Sequence, residues 1–174
     1  MKLFSEEYQQ ELIAKHNKKG WGGAVQGKGG TINTYMELSR AKSVLDYGAG
    51  SSAFRKEIEV QFPKYKYTIH EYEPGRVELS NDPPVCDASI CFDVMEHIEP
   101  EYVDNVIKHI YDKTNYWTFQ DICLKASYNY FPSGKNLHLT VKPAEWWIEK
   151  LKDHWTFCDM TVTNGHLRFL GFKK

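Results

Sequence analysis

The most constraining stretch of the chain is Ser43-Val44-Leu45-Asp46-Tyr47-Gly48-Ala49-Gly50-Ser51-Ser52-Ala53-Phe54. A short apolar run ends in an acid, passes through a glycine-rich turn and opens into a helix, so backbone amides and a helix N-terminus converge at the C-terminal end of a strand. In an α/β domain that is where a nucleotide-like ligand binds. Phe54, Ile58 and Phe62 recur at helical spacing until Pro63 stops the helix, which completes a strand–turn–helix unit.

Asp46 narrows the ligand. A carboxylate two positions before Gly48 repels a pyrophosphate and suits a ligand with a cationic, zwitterionic end, such as the amino group or sulfonium of S-adenosylmethionine. Gly48-Ala49-Gly50-Ser51-Ser52-Ala53 also fits the G-x-G-x-x-G/A frame of NAD enzymes, a weak pattern on its own. A NAD-dependent oxidoreductase therefore stays as an alternative, disfavoured by Asp46. Gly22 to Lys28 fits the frame of a phosphate-binding loop, but Gly29 stands where a hydroxyl residue is needed and no apolar strand precedes it.

Length and charge set the outer limits. With 174 residues and a formal charge of −1, the chain suits one domain and carries no strong electrostatic footprint for a nucleic-acid polymer. A small-molecule partner is expected. Cys86, Cys91, Cys123 and Cys158 show neither disulfide nor zinc-finger spacing, no cluster points to a metal, and no apolar run has the length of a signal peptide or membrane span. The expected location is the cytoplasm. The oligomeric state is left open.

Before the first strand, Ser5 caps a helix reaching about Asn17, with Phe4, Tyr8, Leu12 and Ile13 on one face. The stretch 20–30 holds six glycines and reads as either a linker or a lid, with Trp21 as an apolar plug and Lys28 as its cation. Thr31 is expected to cap a second helix. Residues 1–41 thus form helices and a glycine-rich lid, and 42–174 the cofactor-binding domain, the whole making one compact domain.

After the turn, Tyr65 to Glu71 alternates as a second strand, and Glu71, 25 positions beyond Asp46, is placed to hold a ribose diol; Glu73 reads as a turn residue. The next unit is abbreviated. Ala88-Ser89-Ile90-Cys91-Phe92 is a buried strand ending in Asp93-Val94-Met95-Glu96-His97-Ile98, and Pro100 opens a helix striped by Val103, Val106, Ile107 and Ile110. A strand follows from Asn115, then a long loop carrying Tyr128, Lys135 and His138 that is expected to form the substrate side. The chain closes with a helix from Pro143 and a hairpin about Asn164-Gly165.

The acid-x-Gly-x-Gly turn, Glu71, the Asp93 to Ile98 segment and the terminal hairpin, in that order, resemble class I S-adenosylmethionine-dependent methyltransferases. Lys135-Asn136-Leu137-His138-Leu139 followed by Pro143-Ala144-Glu145-Trp146-Trp147 is similar to a small bacterial and phage type. The resemblance implies a Rossmann-like three-layer sandwich with a mostly parallel sheet of seven strands, or six if the abbreviated unit is lost, and an antiparallel C-terminal hairpin. It implies S-adenosyl-L-methionine held by Asp46, Gly48, Gly50 and Glu71, with Asp93 and Val94 beside its methionine end, and methyl transfer to an O or N acceptor. Ser52 departs from the family at a third glycine position. For a hydroxyl acceptor, His138 and His97 are the candidate proton acceptors, each with a plainer reading as a polar surface or capping residue, and Glu96 is a candidate to hold a substrate cation. Asp82 is a turn acid or an adenine contact. A non-catalytic module that binds an adenosyl cofactor is the remaining alternative.

Overall fold

The computed structural model describes residues 1–17, 22 and 27–174. Its elements run α1 (Glu6–His16), α2 (Gly29–Ser39), β1 (Ser43–Tyr47), α3 (Ala53–Gln61), β2 (Thr68–Tyr72), β3 (Cys86–Phe92), α4 (Val103–Asp112), β4 (Thr114–Cys123), α5 (Ala144–Leu151), β5 (Trp155–Thr163) and β6 (His166–Lys173). Short 3₁₀ turns at Val77–Leu79, Met95–His97 and Pro100–Tyr102 fill the connections.

One sheet organises the chain. Its strand order is β2-β1-β3-β4-β6-β5, with β2, β1, β3 and β4 parallel, and β6 antiparallel to both β4 and β5. Among the described residues the sheet has six strands. Where the resemblance allows a seventh, the chain between β2 and β3 makes only the turn Val77–Leu79, because about a dozen residues are too few for a further strand and its crossover helix.

The core follows from strand alternation. Val44 and Ile90 face one side, where α2 and α3 pack with Ile32, Met36, Phe54 and Ile58. Leu45 and Cys91 face the other, against Val103, Val106, Ile107 and Ile110 of α4 and Trp147 and Leu151 of α5. Both faces are covered, so β1 and β3 are mostly apolar on both sides, with Asp46 and Ser89 as buried polar exceptions. The result is a three-layer α/β sandwich of the Rossmann-like kind. At the far edge, Asn164 and Gly165 take φ values of 54° and 79°, the left-handed pair of a type I′ turn.

Two boundaries move from the sequence reading. Thr31 does not cap α2, which begins at Gly29 with Lys28 before it, because the Gly27 and Gly29 N–H groups both donate to Glu57 of α3. β2 ends at Tyr72, and this decides which acid reaches the site below.

α1 lies apart from the sandwich. Its Tyr8 and Leu12 pack on Phe131 and Leu137 of the loop between β4 and α5. Ser5 anchors its start: the Oγ accepts the Tyr8 N–H at 3.1 Å, while the Ser5 N–H and hydroxyl donate to the Glu99 carboxylate at 2.8 and 2.6 Å. Helix and loop therefore roof the C-terminal edge of the strands.

Candidate active site

A cavity of about 250 Å³ opens beneath that roof, at the ends of β1, β2 and β3. The chain leaves β1 for β2 on one side while β3 lies on the other, so the cavity sits where the strand order reverses, the position at which open α/β sheets bind ligands.

The glycine turn forms its floor. Gly48 and Gly50 have φ values of 80° and 51°, and a Cβ at either would collide, with Val94 at 2.3 Å and with the Gly22 carbonyl at 2.5 Å. Ser52 takes the same left-handed conformation at φ 61°, so it fills the backbone role of a third glycine at the expense of strain, and its Oγ accepts a hydrogen bond from Arg76. Gly22 is docked on this turn, its carbonyl accepting the Ser51 N–H at 2.8 Å and the Ser51 hydroxyl at 2.9 Å.

Asp46 lines the cavity at 3% exposure, and its Oδ2 has no hydrogen-bond donor among the described residues. Burial, with the neighbouring Glu71 and Glu73 charges adding to it, pushes its carboxyl up to about 8. A buried carboxyl oxygen on a cavity-lining residue, without a donor among the described residues, is a position for a cationic ligand group.

The strand-end acid in the cavity is Glu73. Its Oε2 accepts the Gly50 N–H at 3.1 Å, its Oε1 accepts the Gly75 N–H at 3.0 Å and lies 3.3 Å from His16 Nε2. Glu71 does not line the cavity; it is paired with Arg55 Nε of α3 at 2.6 Å. Asp82 also lies elsewhere, bonded to His109 and Lys113.

Asp93 and Val94 line the opposite wall after β3, with Asp93 in a left-handed conformation at φ 50°. Beyond them come His97 and His138, whose rings meet edge to face at 4.7 Å. His97 Nδ1 bonds the Leu137 carbonyl at 2.8 Å, and His138 Nδ1 bonds the Lys125 carbonyl at 2.5 Å. Burial and the adjacent His138 pull the His97 imidazole down to about 4. The loop holding His138 is stitched to the same segment: the Thr140 N–H donates to the Glu96 carbonyl and the Thr140 hydroxyl to that of Ile98. Glu96 is wholly buried behind the two rings and accepts the Cys123 N–H at 3.2 Å. Burial, then the charge of Asp93, drives its carboxyl well up.

The other candidates fall outside the cavity lining. Lys28 sits 3.1 Å from Asp121 and over the Phe92 ring at 4.5 Å. Tyr128 is fully exposed, and Lys135 pairs with Glu7 at 2.8 Å. Trp21 lies outside the described residues. Conversely, Tyr8, Leu12 and His16 of α1 line the cavity, and among these the helical apolar stripe of Tyr8 and Leu12 was the only advance signal.

This sheet order, glycine turn and antiparallel end define the fold of the class I S-adenosylmethionine-dependent methyltransferases. No protein-family model and no curated protein sequence matches the chain. Solved structures match its fold. The 1,6-didemethyltoxoflavin-N1-methyltransferase of Burkholderia thailandensis, solved with 1,6-didemethyltoxoflavin and S-adenosylhomocysteine, superposes with a TM-score of 0.64 at 14% identity, covering 100% of this chain and 92% of its own. An O-methyltransferase family protein from the same organism gives 0.63 at 10% identity over 96% of this chain; the chain spans 58% of that protein. Human N-acetylserotonin methyltransferase, in complex with S-adenosylmethionine, gives 0.55 at 14% identity over 96% of this chain and 56% of its own.

Proposed function

We propose that this protein is an S-adenosylmethionine-dependent methyltransferase that acts on an oxygen or nitrogen of a small molecule. The observation that carries the reading is the buried Oδ2 of Asp46, without a donor among the described residues, beside a turn whose Gly48 and Gly50 positions leave no room for a Cβ. Both fit this cofactor: the carboxylate pairs with its cationic amino end, and the turn lets backbone N–H groups approach it. Glu73, at the end of β2, is the acid for the ribose hydroxyls; the sequence alone favours Glu71, but Arg55 already holds that carboxylate. When bound, the cofactor supplies an electrophilic methyl group on a sulfonium, a good leaving group.

The protein's own work is then placement and exclusion of water. α1 covers the cavity with Tyr8 and Leu12, and Asp93 and Val94 flank the methionine end. His97 and His138 present imidazole lone pairs to the acceptor end, because the Nδ1 of each is engaged by a backbone carbonyl. That suits them to receive a hydrogen bond or proton from an acceptor hydroxyl or amine.

Calorimetric titration with S-adenosylmethionine, S-adenosylhomocysteine and NAD tests the reading. Binding of the first two without the third is expected, and binding of NAD alone overturns it. A non-catalytic cofactor-binding module is separated by incubating the protein with labelled S-adenosylmethionine and a library of small hydroxyl and amine acceptors, and looking for labelled product.

A further inference from the structure

The fold brings the adjacent Glu96 and His97 together with His138, about 40 positions further on, as three metal-ligating side chains. One carboxylate oxygen of Glu96 and one ring nitrogen each of His97 and His138 all lie within 4.8 Å of one another. We propose that Glu96, His97 and His138 form a binding site for a divalent first-row transition cation of the zinc type, open toward the acceptor end of the cavity.

The chemistry of the donors carries this. A metal-binding histidine typically donates its other ring N–H to a carbonyl or carboxylate, which fixes the tautomer and aims the lone pair. Both histidines do so: His97 Nδ1 on Leu137 O and His138 Nδ1 on Lys125 O, which leaves Nε2 as the lone-pair atom of each ring. The third donor supplies the independent observation. Glu96 is 0% exposed, and its Oε2 has no hydrogen-bond donor among the described residues. A carboxyl oxygen buried without a donor is explained if a cation sits against it.

Ligand type and geometry choose the ion. Two imidazoles and a carboxylate suit zinc and its neighbours better than Mg²⁺ or Ca²⁺, which prefer all-oxygen sites. Ligand atoms of a tetrahedral zinc site stand about 3.4 Å apart, given bonds of about 2.0–2.1 Å, against up to 4.8 Å between the donors here, so closing on the ion asks the donors to draw together, most easily by movement of the partly exposed His138. Three protein ligands leave a position open, and both histidines line the cavity. With the ion bound, both imidazole lone pairs are spent on it, so the cation takes over from the histidines in meeting the acceptor, and the ligand class for that position is an acceptor bearing an oxygen or nitrogen donor. This last step rests on the methyltransferase reading, whereas the metal site itself stands on the geometry.

A second group, Asp93, Asp121 and His166, is equally close but differs in kind. Asp121 is already saturated by Arg168 at 2.6 and 3.0 Å, by His166 at 2.9 Å and by Lys28 at 3.1 Å. Fixed cations occupy the place an ion would take.

The test uses the intact chain stripped with chelator, titrated with Zn²⁺ and with Co²⁺, whose visible absorption reports direct ligation. One ion per chain is expected, with binding at least tenfold weaker in His138→Ala, His97→Ala and Glu96→Gln, and unchanged in His166→Ala. His138 lies in a loop, so its variant keeps the test valid if burial makes the other two unfold; circular dichroism checks each. Absence of stoichiometric binding to the parent, wild-type affinity in His138→Ala, or loss of binding in His166→Ala overturns the site. S-adenosylhomocysteine affinity is measured on the same samples. Metal binding lost with cofactor binding kept sinks this site alone, and the reverse sinks the methyltransferase reading alone.

Discussion

The Glu73 carboxylate accepts the backbone N–H of Gly50 at 3.1 Å, which ties the residue after β2 to the turn after β1 and sets both against one cavity. Glu73→Ala is expected to weaken S-adenosylhomocysteine binding by about 1.5–3 kcal/mol, the worth of hydrogen bonds to a charged group. Glu71→Ala should leave affinity within about 0.5 kcal/mol and lower thermal stability instead, since it removes the partner of Arg55. Calorimetry on the two variants decides; a loss in Glu71→Ala with none in Glu73→Ala would return the ribose to Glu71.

Asp46 makes stability and binding respond to pH in opposite directions. Its carboxyl is raised to about 8 in the fold, well above an ordinary aspartate, so the folded state holds a proton that the unfolded chain releases. The stabilisation is complete below about pH 4 and is lost as pH climbs toward 8. Asp46→Asn should therefore stabilise the ligand-free protein at pH 8, on the order of a few kcal/mol, and reduce cofactor affinity at least tenfold. In the parent, affinity for a ligand carrying a cationic amino group should rise from pH 6 to 8 as Asp46 ionises. Thermal melts and titrations at both pH values check this, and a variant no more stable than the parent at pH 8 would refute it.

The roof depends on Ser5 and Glu99. Ser5→Ala removes the helix cap and one of two bonds to Glu99, and should destabilise α1 by about 1 kcal/mol. Amide exchange in residues 6–16 should quicken severalfold, with β1 and β3 unaffected, and cofactor affinity should fall. Unchanged exchange in α1 would mean that Tyr8 and Leu12 alone hold the helix down.

At the hairpin, Gly165→Ala places a side chain at φ 79° and presses its Cβ toward the flexible end of Lys125. A loss of about 1 kcal/mol is expected, read from denaturant midpoints, with cofactor affinity intact.

Much of this architecture is local in origin and so was legible in the residues. The turn at Gly48 and Gly50 and the reversal at Asn164-Gly165 demand left-handed backbone, which few residue types tolerate, and both occur where the sequence places them. Apolar runs and alternation placed β1 to β4 to within a few residues, because burial on two faces leaves near-continuous apolar runs at β1 and β3, while the Asn164-Gly165 turn placed β5 and β6. Asp46, Asp93, Val94 and His97 also line one cavity, since strand ends on one edge of a parallel sheet converge whatever the details of packing.

What the tertiary structure alone decided turns on single residues of register and on distant partners. Glu71 and Glu73 lie two apart, so alternation in the sequence cannot separate them; in the fold Glu71 is in β2 and paired with Arg55 of α3, while Glu73 falls just past the strand's end and bonds Gly50. Nothing in the chain links the Glu96-His97 pair to His138. The Thr140 bonds to Glu96 and Ile98 do so, by laying a loop from beyond β4 across the end of β3. The sequence specifies conformation through local sterics and periodicity, but a site built from side chains on separate elements exists only once packing has fixed their distances.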